Sequence, residues 1–280
     1  MATSFWKSGP LAEARFRTFY WGFTVAQLGS AMTPVALAFA VMQSAHGDML
    51  LGYVLACQLV PHVLLALLGG AFADRFRKDR ILLVANLGSC ATQAGIAIVV
   101  LTHAASDWLF PFALASGVVS ALSSPALRGL IPEVVEPQQI KAANSLVATS
   151  RSASRVAGPL MAGVLVATVG GGWGIATDAV TFAIAAAFMA RLQLQAAAGR
   201  GQSSIWPEIR EGWSYFRGKR WIWMMTAAFT GMNLIQMGVW QVLGPIIALH
   251  TFGSVDWGLI VSAKSIGLLA AGAVLVRVFP

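Results

Sequence analysis

Charged residues are scarce in this sequence. Aspartate, glutamate, lysine and arginine make up 11% of its 280 residues, whereas hydrophobic residues make up 57%. A water-soluble domain carries about one-quarter charged residues. Because so few polar residues cannot cover a soluble globule, the composition excludes a water-soluble protein and predicts an all-α integral membrane protein.

Residues that carry catalysis or bind metals are also few and scattered. Cys57 and Cys90 lie in apolar stretches without metal-ligand spacing. The sequence has no phosphate-binding Gly-x-x-x-x-Gly-Lys-[Ser/Thr] segment and no His-Glu-x-x-His or Ser/His/Asp pattern. These absences argue against ATP hydrolysis and against a metal or other cofactor, and they leave a membrane-embedded enzyme as a remote alternative. The four histidines are far apart: His46, His62, His103 and His250.

Long apolar runs dominate the chain instead. A transmembrane helix needs roughly twenty apolar residues. By that measure we predict about eight spans, at 18–43, 49–72, 81–103, 108–131, 143–169, 174–192, 222–249 and 257–278.

The basic residues occupy alternate loops. Lysine and arginine occur in the N-terminal segment and in loops two, four and six, and none occurs in loops one, three, five and seven. Under the positive-inside rule this pattern predicts a cell-membrane protein whose N-terminus and even loops are cytoplasmic. The net charge of +8 is therefore a topology signal rather than a nucleic-acid surface.

The sixth loop is the only long one, and it divides the chain. Within it, Ile205, Ile209, Trp213 and Phe216 recur at helical spacing among charged residues. This pattern predicts an amphipathic helix on the cytoplasmic membrane surface, the alternative being a solvated linker. We therefore predict a six-span bundle over 1–192, a linker over 193–220 and the first two spans of a second bundle over 221–280.

The second loop carries the most distinctive motif. It has a glycine, three intervening residues and an Asp-Arg pair, with basic residues following: Gly70, Asp74, Arg75, Lys78 and Arg80. This pattern resembles the signature loop of the major facilitator superfamily, which implies a conformational gating role for these residues. The alternative is a charged loop that only sets topology.

Three further segments resemble the drug and siderophore exporter branch of that superfamily. They are Arg15-Phe16-Arg17 before span one, the Pro132 to Ser145 stretch with its Ala-Asn-Ser end, and Asp178-Ala179-Val180-Thr181-Phe182 in span six. The resemblance implies a small-molecule substrate, export through alternating access and, by analogy, H⁺ as the coupling ion. Such proteins have two six-span halves, so the sequence is expected to be about two-thirds of one. A transport-incompetent fragment is therefore an alternative.

Span five contains Gly158-Pro159-x-x-Ala162-Gly163, which is similar to the Gly-Pro-x-x-Gly-Gly core associated with antiporters. Alanine replaces one glycine of that core. One and two turns earlier in the same span lie Arg155 and Arg151. A charge inside a span faces a cavity or snorkels to the interface. These arginines are therefore candidates for a cationic site in the transport path.

The remaining candidates are polar residues within spans. Asp178 is the candidate coupling acid, with a structural capping role as the alternative. Lys264 in span eight either faces a cavity or snorkels. Four amide side chains are candidates to line the substrate cavity: Gln27, Asn233, Gln236 and Gln241. Neighbouring methionine and tryptophan side chains suit amphipathic substrates. The alternative is that the amides only form hydrogen bonds between helices.

The second-loop motif generates a first prediction. We use the term latch for a contact of the Asp74 carboxylate that forms in one conformation of the transport cycle and breaks in the other. If Asp74 forms such a latch, an Asp74→Asn protein should insert normally into the membrane but transport more slowly. Substrate flux in vesicles measures the second property, and the yield of membrane-extracted protein measures the first. Unchanged flux in the variant would count against the latch.

Overall fold

The computed structural model describes residues 9–42, 47–75, 77–192, 194 and 205–278, without the side chains of 47–48, 66–75, 205–209, 211–212 and 272–278. Every element in these ranges is helical, which confirms the predicted all-α membrane fold. Spans one to six correspond to six helices: α1 Ala14–Met42, α2 Gly47–Arg75, α3 Lys78–Leu101, α4 Leu109–Val134, α5 Ile140–Val169 and α6 Gly171–Ala190.

The linker and the second part of the chain contribute four more helices. Helix α7 covers Ile205–Gly218, where the sequence predicts the amphipathic helix. Helix α8 (Arg220–Met237) continues through a π-helical turn at Gly238–Leu243 into α9 (Gly244–Thr251). Helix α10 is Gly253–Val278. Span seven is thus interrupted rather than the uniform helix that its hydropathy suggests.

Seven of the described helical segments are long and apolar enough to cross a membrane, and α2 adds a shorter apolar stretch at Met49–Leu65. The chain is therefore a multi-pass membrane protein. Two of its connections are tighter than hydropathy suggests, and each contains a glycine with positive φ. Gly170 alone separates α5 from α6 at φ 93°, whereas Phe252 follows α9 and Gly253, at φ 87°, begins α10. Other residues rarely adopt this conformation.

Helix α1 lies at the centre of the first bundle. It packs along α6 and α5, while α3 packs on α4 and α6, and α2 packs on α4. Two apolar clusters fill the bundle. One surrounds the C-terminal half of α1 from Met32 to Met42, and the other surrounds Phe16, Phe19 and Phe23 near its start.

Helix α10 packs on α5 through small residues. A Cβ at Gly163 would lie 2.6 Å from the Ser254 carbonyl oxygen, and a Cβ at Gly258 would lie 2.5 Å from the Pro159 carbonyl oxygen. Two serine hydroxyls of α10 also donate to α5 carbonyls: Ser254 to Gly163 at 3.1 Å and Ser262 to Val156 at 2.6 Å. Close backbone approach with interhelical hydrogen bonds is how helices associate in lipid. The residues that resemble an antiporter core therefore form a helix contact.

Helix α8 packs little against the described chain. None of its residues is buried, and large apolar side chains such as Trp221, Met232 and Ile235 are exposed. This apolar surface suits contact with lipid or with another helix.

The α5–α10 contact gives a second prediction. Gly258→Ala should lower the free energy of unfolding by about 1–3 kcal/mol, because the new methyl group meets the backbone of Pro159. Gly267→Ala is the matched control on the same helix, since nothing lies within 4 Å of its added Cβ. Thermal unfolding of both proteins in detergent would compare them. Equal stability would contradict the tight contact.

Candidate functional site

A cavity of about 430 Å³ lies inside the first bundle. Helices α1 to α6 all contribute to its lining, and the π-helical turn of span seven adds one residue. Its volume is in the range of small-molecule sites. The polar and charged residues that line it are Gln27, Ser30, Thr33, Gln58, Asn86, Ser89, Gln93, Ser116, Ser120, Ser123, Ser124, Arg151, Asp178 and Gln241.

Helical periodicity brings many of these residues together. On α3, Asn86, Ser89 and Gln93 follow each other at intervals of three and four, which places them on one face. On α4, serines recur from 116 to 124 at the same spacing. The sequence interpretation missed both rows because each residue is individually unremarkable in a span. Their spacing was the signal that could have revealed them.

Arg151 is the basic residue among those that line the cavity. Its guanidinium carbon lies 5.7 Å from the centroid of the Phe23 ring on α1. The preceding residue, Ser150, is hydrogen-bonded to Thr24 at 2.8 Å, and this bond ties α5 to α1 beside the arginine. Among the side chains that the structure describes, no carboxylate lies within 4.0 Å of Arg151 to form an ion pair.

Arg155, one turn further along α5, is placed differently. It is exposed and does not line the cavity. The two arginines were grouped in the sequence because they are four residues apart. The packing of α1 and α10 on α5 separates them into a cavity-lining and an outward-facing position.

Asp178 is completely buried in α6, also at the cavity wall. Its carboxylate accepts hydrogen bonds from Thr33 at 2.5 Å, Gln93 at 2.9 Å and Thr181 at 3.2 Å. We call these four residues the Asp178 cluster. A Cβ at Gly29 would overlap the Thr181 and Asp178 side chains, so the missing side chain there makes room for the cluster. All three donors are neutral, and they connect α1, α3 and α6.

The two charges of the cavity do not pair with each other. Arg151 lies over the Phe23 ring and Asp178 is hydrogen-bonded to Thr33, and Phe23 and Thr33 are ten residues apart on α1. At 1.5 Å per residue they are separated by about 15 Å along the helix. The cavity therefore has a cation near one end and a carboxylate near the other.

The predicted cavity amides fall into two groups. Gln27 and Gln241 line the cavity, and Gln241 also lines an adjoining space of about 210 Å³ beside His62. Asn233 and Gln236 are exposed on α8, and the Asn233 amide donates to the Phe229 carbonyl of its own helix at 2.8 Å. The structure therefore does not bring these last two to the cavity.

The second-loop motif is only partly described. Lys78 contacts the end of α4, pairing with Glu133 at 2.5 Å and donating to the Gly129 carbonyl at 3.0 Å. Arg80 is exposed. The other three motif residues lie outside the part of the chain whose side chains the structure describes, so their predicted roles remain predictions: Gly70, Asp74 and Arg75.

A second ion pair lies beside the motif. Arg77 pairs with Asp79 at 2.7 Å, and the Leu194 amide after α6 donates to the same carboxylate at 3.4 Å. The described part of the loop is therefore tied to both α4 and the segment that follows α6.

Lys264 of α10 lies close to an aromatic ring. Its ammonium is 3.9 Å from the centroid of Trp240 in the π-helical turn, and Trp240 stacks on Trp257. A cation–π contact thus accounts for a lysine within span eight.

Comparison with known proteins decides the family. A model described as "Transmembrane secretion effector", a branch of the major facilitator superfamily, matches residues 3–279. The chain belongs to this family. The resemblance deduced from the second loop is therefore confirmed across nearly the whole sequence.

Two kinds of curated relative match the chain. The staphyloferrin A transporter of Staphylococcus aureus is 28% identical over 142 residues, which is 50% of this chain and 36% of that protein. Macrolide efflux protein A of Streptococcus pyogenes is 22% identical over 269 residues, which is 94% of this chain and 66% of that protein. The chain thus matches about two-thirds of the length of the macrolide efflux protein. Both relatives carry the names of transporters, not of enzymes.

The Asp178 cluster gives a third prediction. Asp178→Ala should lower the free energy of unfolding by about 2–3 kcal/mol, because the buried Gln93 amide would lose its acceptor. Asp178→Asn should cost less, since its side-chain oxygen still accepts a hydrogen bond. Equilibrium unfolding in mixed micelles, followed by circular dichroism, measures both.

The exposed Asp107 provides the control, because Asp107→Ala removes a carboxylate without emptying a buried site. If Asp178→Ala were as stable as Asp107→Ala, the cluster would have no structural role.

Proposed function

We propose that this protein is a secondary active exporter that moves small molecules across the cell membrane by alternating access. The observation that carries the proposal is a cavity lined by residues of all six spans of the first bundle, among them amides, hydroxyls, an arginine and an aspartate. Amides, hydroxyls and charges are costly on a helix surface that faces lipid, but they can bind a polar substrate where they line a transport path. The family and the names of the relatives support export as the direction.

The cavity refines the proposed substrate. The sequence interpretation favours amphipathic drugs or siderophores among methionine and aromatic side chains. The lining has many more hydroxyl and amide groups than that interpretation assumed. We therefore favour substrates with several hydrogen-bonding groups.

Proton exchange is the proposed driving reaction, with Asp178 as the coupling acid. A buried carboxylate at a cavity wall inside a membrane bundle is the kind of group that relays protons in transporters. The donors around it are neutral, and among the described side chains no cation pairs with it to hold it in the ionised form. Gain or loss of a proton would change how α1, α3 and α6 are bonded together.

The remaining parts of the mechanism follow from the helix contacts. The second loop is proposed as the gate on the cytoplasmic side, where the positive-inside rule places the N-terminus. The glycine contact between α5 and α10 would be the surface on which one bundle moves against the next.

Transport in proteoliposomes tests the proposal and is our fourth prediction. With an imposed pH gradient, the protein should drive uptake of staphyloferrin A or of a macrolide above the level of protein-free vesicles. Asp178→Asn should abolish the dependence on the pH gradient while substrate-for-substrate exchange continues, because binding and reorientation do not require the proton.

Two results would contradict parts of the proposal. No gradient-driven movement of either compound would argue against the exporter with those substrate types. Uptake by Asp178→Asn that still follows the pH gradient would remove Asp178 as the coupling acid.

A further inference from the structure

We infer that the cavity selects organic anions, with Arg151 as the residue that binds the substrate's carboxylate. The inference rests on the proposed function and deepens it by naming the substrate class. The cavity should bind hydroxylated carboxylic acids more tightly than cationic or neutral compounds of similar size.

The placement of Arg151 is the first step of the argument. A permanently charged guanidinium lines a cavity within the bundle, and no carboxylate among the described side chains pairs with it. Its contact with the Phe23 ring is a cation–π interaction. A contact with a ring face uses no oxygen acceptor, so the N–H groups of the guanidinium can still donate to the two oxygens of a carboxylate.

Asp178, the other charged residue of the cavity, is less available to pair with a cationic substrate. The oxygens of Asp178 already accept hydrogen bonds from Thr33, Gln93 and Thr181, and the residue has no exposed surface. Arg151 therefore presents the charge that an incoming molecule meets. A cationic molecule would bring a like charge to it, which disfavours binding.

The cavity wall also supplies neutral hydrogen-bonding groups. Gln27, Ser30 and Asn86 line the same cavity as Arg151, and their amides and hydroxyl can bond the hydroxyl groups of a substrate. Serine hydroxyls along α4 add further partners for an oxygen-rich molecule.

Binding to the purified, detergent-solubilised protein is the test and our fifth prediction. The probes are two hydroxylated acids with neutral counterparts of similar size: citrate with trimethyl citrate, and gluconate with sorbitol. Isothermal titration calorimetry should show each acid binding at least about tenfold more tightly than its counterpart, the factor expected of a charge-assisted hydrogen bond. Arg151→Gln should remove that preference, and Arg151→Lys should retain part of it.

Arg155→Gln is the matched comparison, because it removes the same charge one turn away from an outward-facing position. It should keep the affinity for both acids within about twofold, since a surface charge acts weakly through solvent. Thermal unfolding checks that each variant is folded. If Arg151→Gln does not fold, the wild-type comparison of acids with neutral counterparts and the Arg151→Lys variant still decide.

The inference is overturned if neither acid binds, if the neutral counterparts bind as tightly, or if Arg151→Gln keeps the preference. Loss of acid binding in Arg155→Gln alone would assign the site to the other arginine and overturn it too. None of these measurements requires transport. If the acids bind but are not moved by a pH gradient, the exporter proposal fails and the anion site stands. If neutral compounds are transported and acids are not preferred, the exporter proposal stands and the anion site fails.

Discussion

The hydrogen bonds around Asp178 are the interaction on which the bundle's interior depends. In a bilayer, a buried polar group must find its partners within the protein, since no water is available to replace them. Asp178 meets this requirement with neutral donors from α1, α3 and its own helix. Gly29 makes the arrangement possible, because any side chain there would overlap the cluster. Three helices are thereby fixed around a polar wall, and the cavity is formed against it.

Close backbone contacts do the work that hydrophobic burial does in soluble proteins. Lipid tails are as apolar as leucine, so helices gain little from apolar contact alone. On α5, Gly158 packs against Ala31 of α1, while Gly163 packs against Ser254 of α10. One short segment therefore joins the first bundle to span eight. The sequence likeness to an antiporter core thus has a direct structural counterpart, which is the close contact that each glycine permits.

The features that could be predicted from the sequence are those that depend on residues close to one another along the chain. Span positions and the family motif depend on local hydropathy and on the order of a few residues, and both were recovered. Arg151 and Asp178, which line the cavity, were also named as candidates from the sequence, because a charge within a span is rare enough to stand out. Their partners Phe23, Thr33 and Gln93 were not, since hydrogen-bond geometry depends on how helices rotate and tilt. The same reason explains why Arg155, Asn233 and Gln236 lie away from the cavity.

Helix α1 is the element that both ends of the cavity share. It meets Arg151 through Phe23, and Thr24 bonds to the neighbouring Ser150, while Thr33 bonds to Asp178. Two unit charges about 15 Å apart, the spacing of these contact residues along α1, attract each other by only about 1 kcal/mol at an effective dielectric constant near 20. That is too small to couple substrate binding tightly to protonation. Coupling between the two ends would therefore have to travel through the position of α1, which is held against α6 by Gly22 and Gly29. A small shift of this one helix would alter both charged sites together, and such a shared element is what exchange of a proton for a substrate requires.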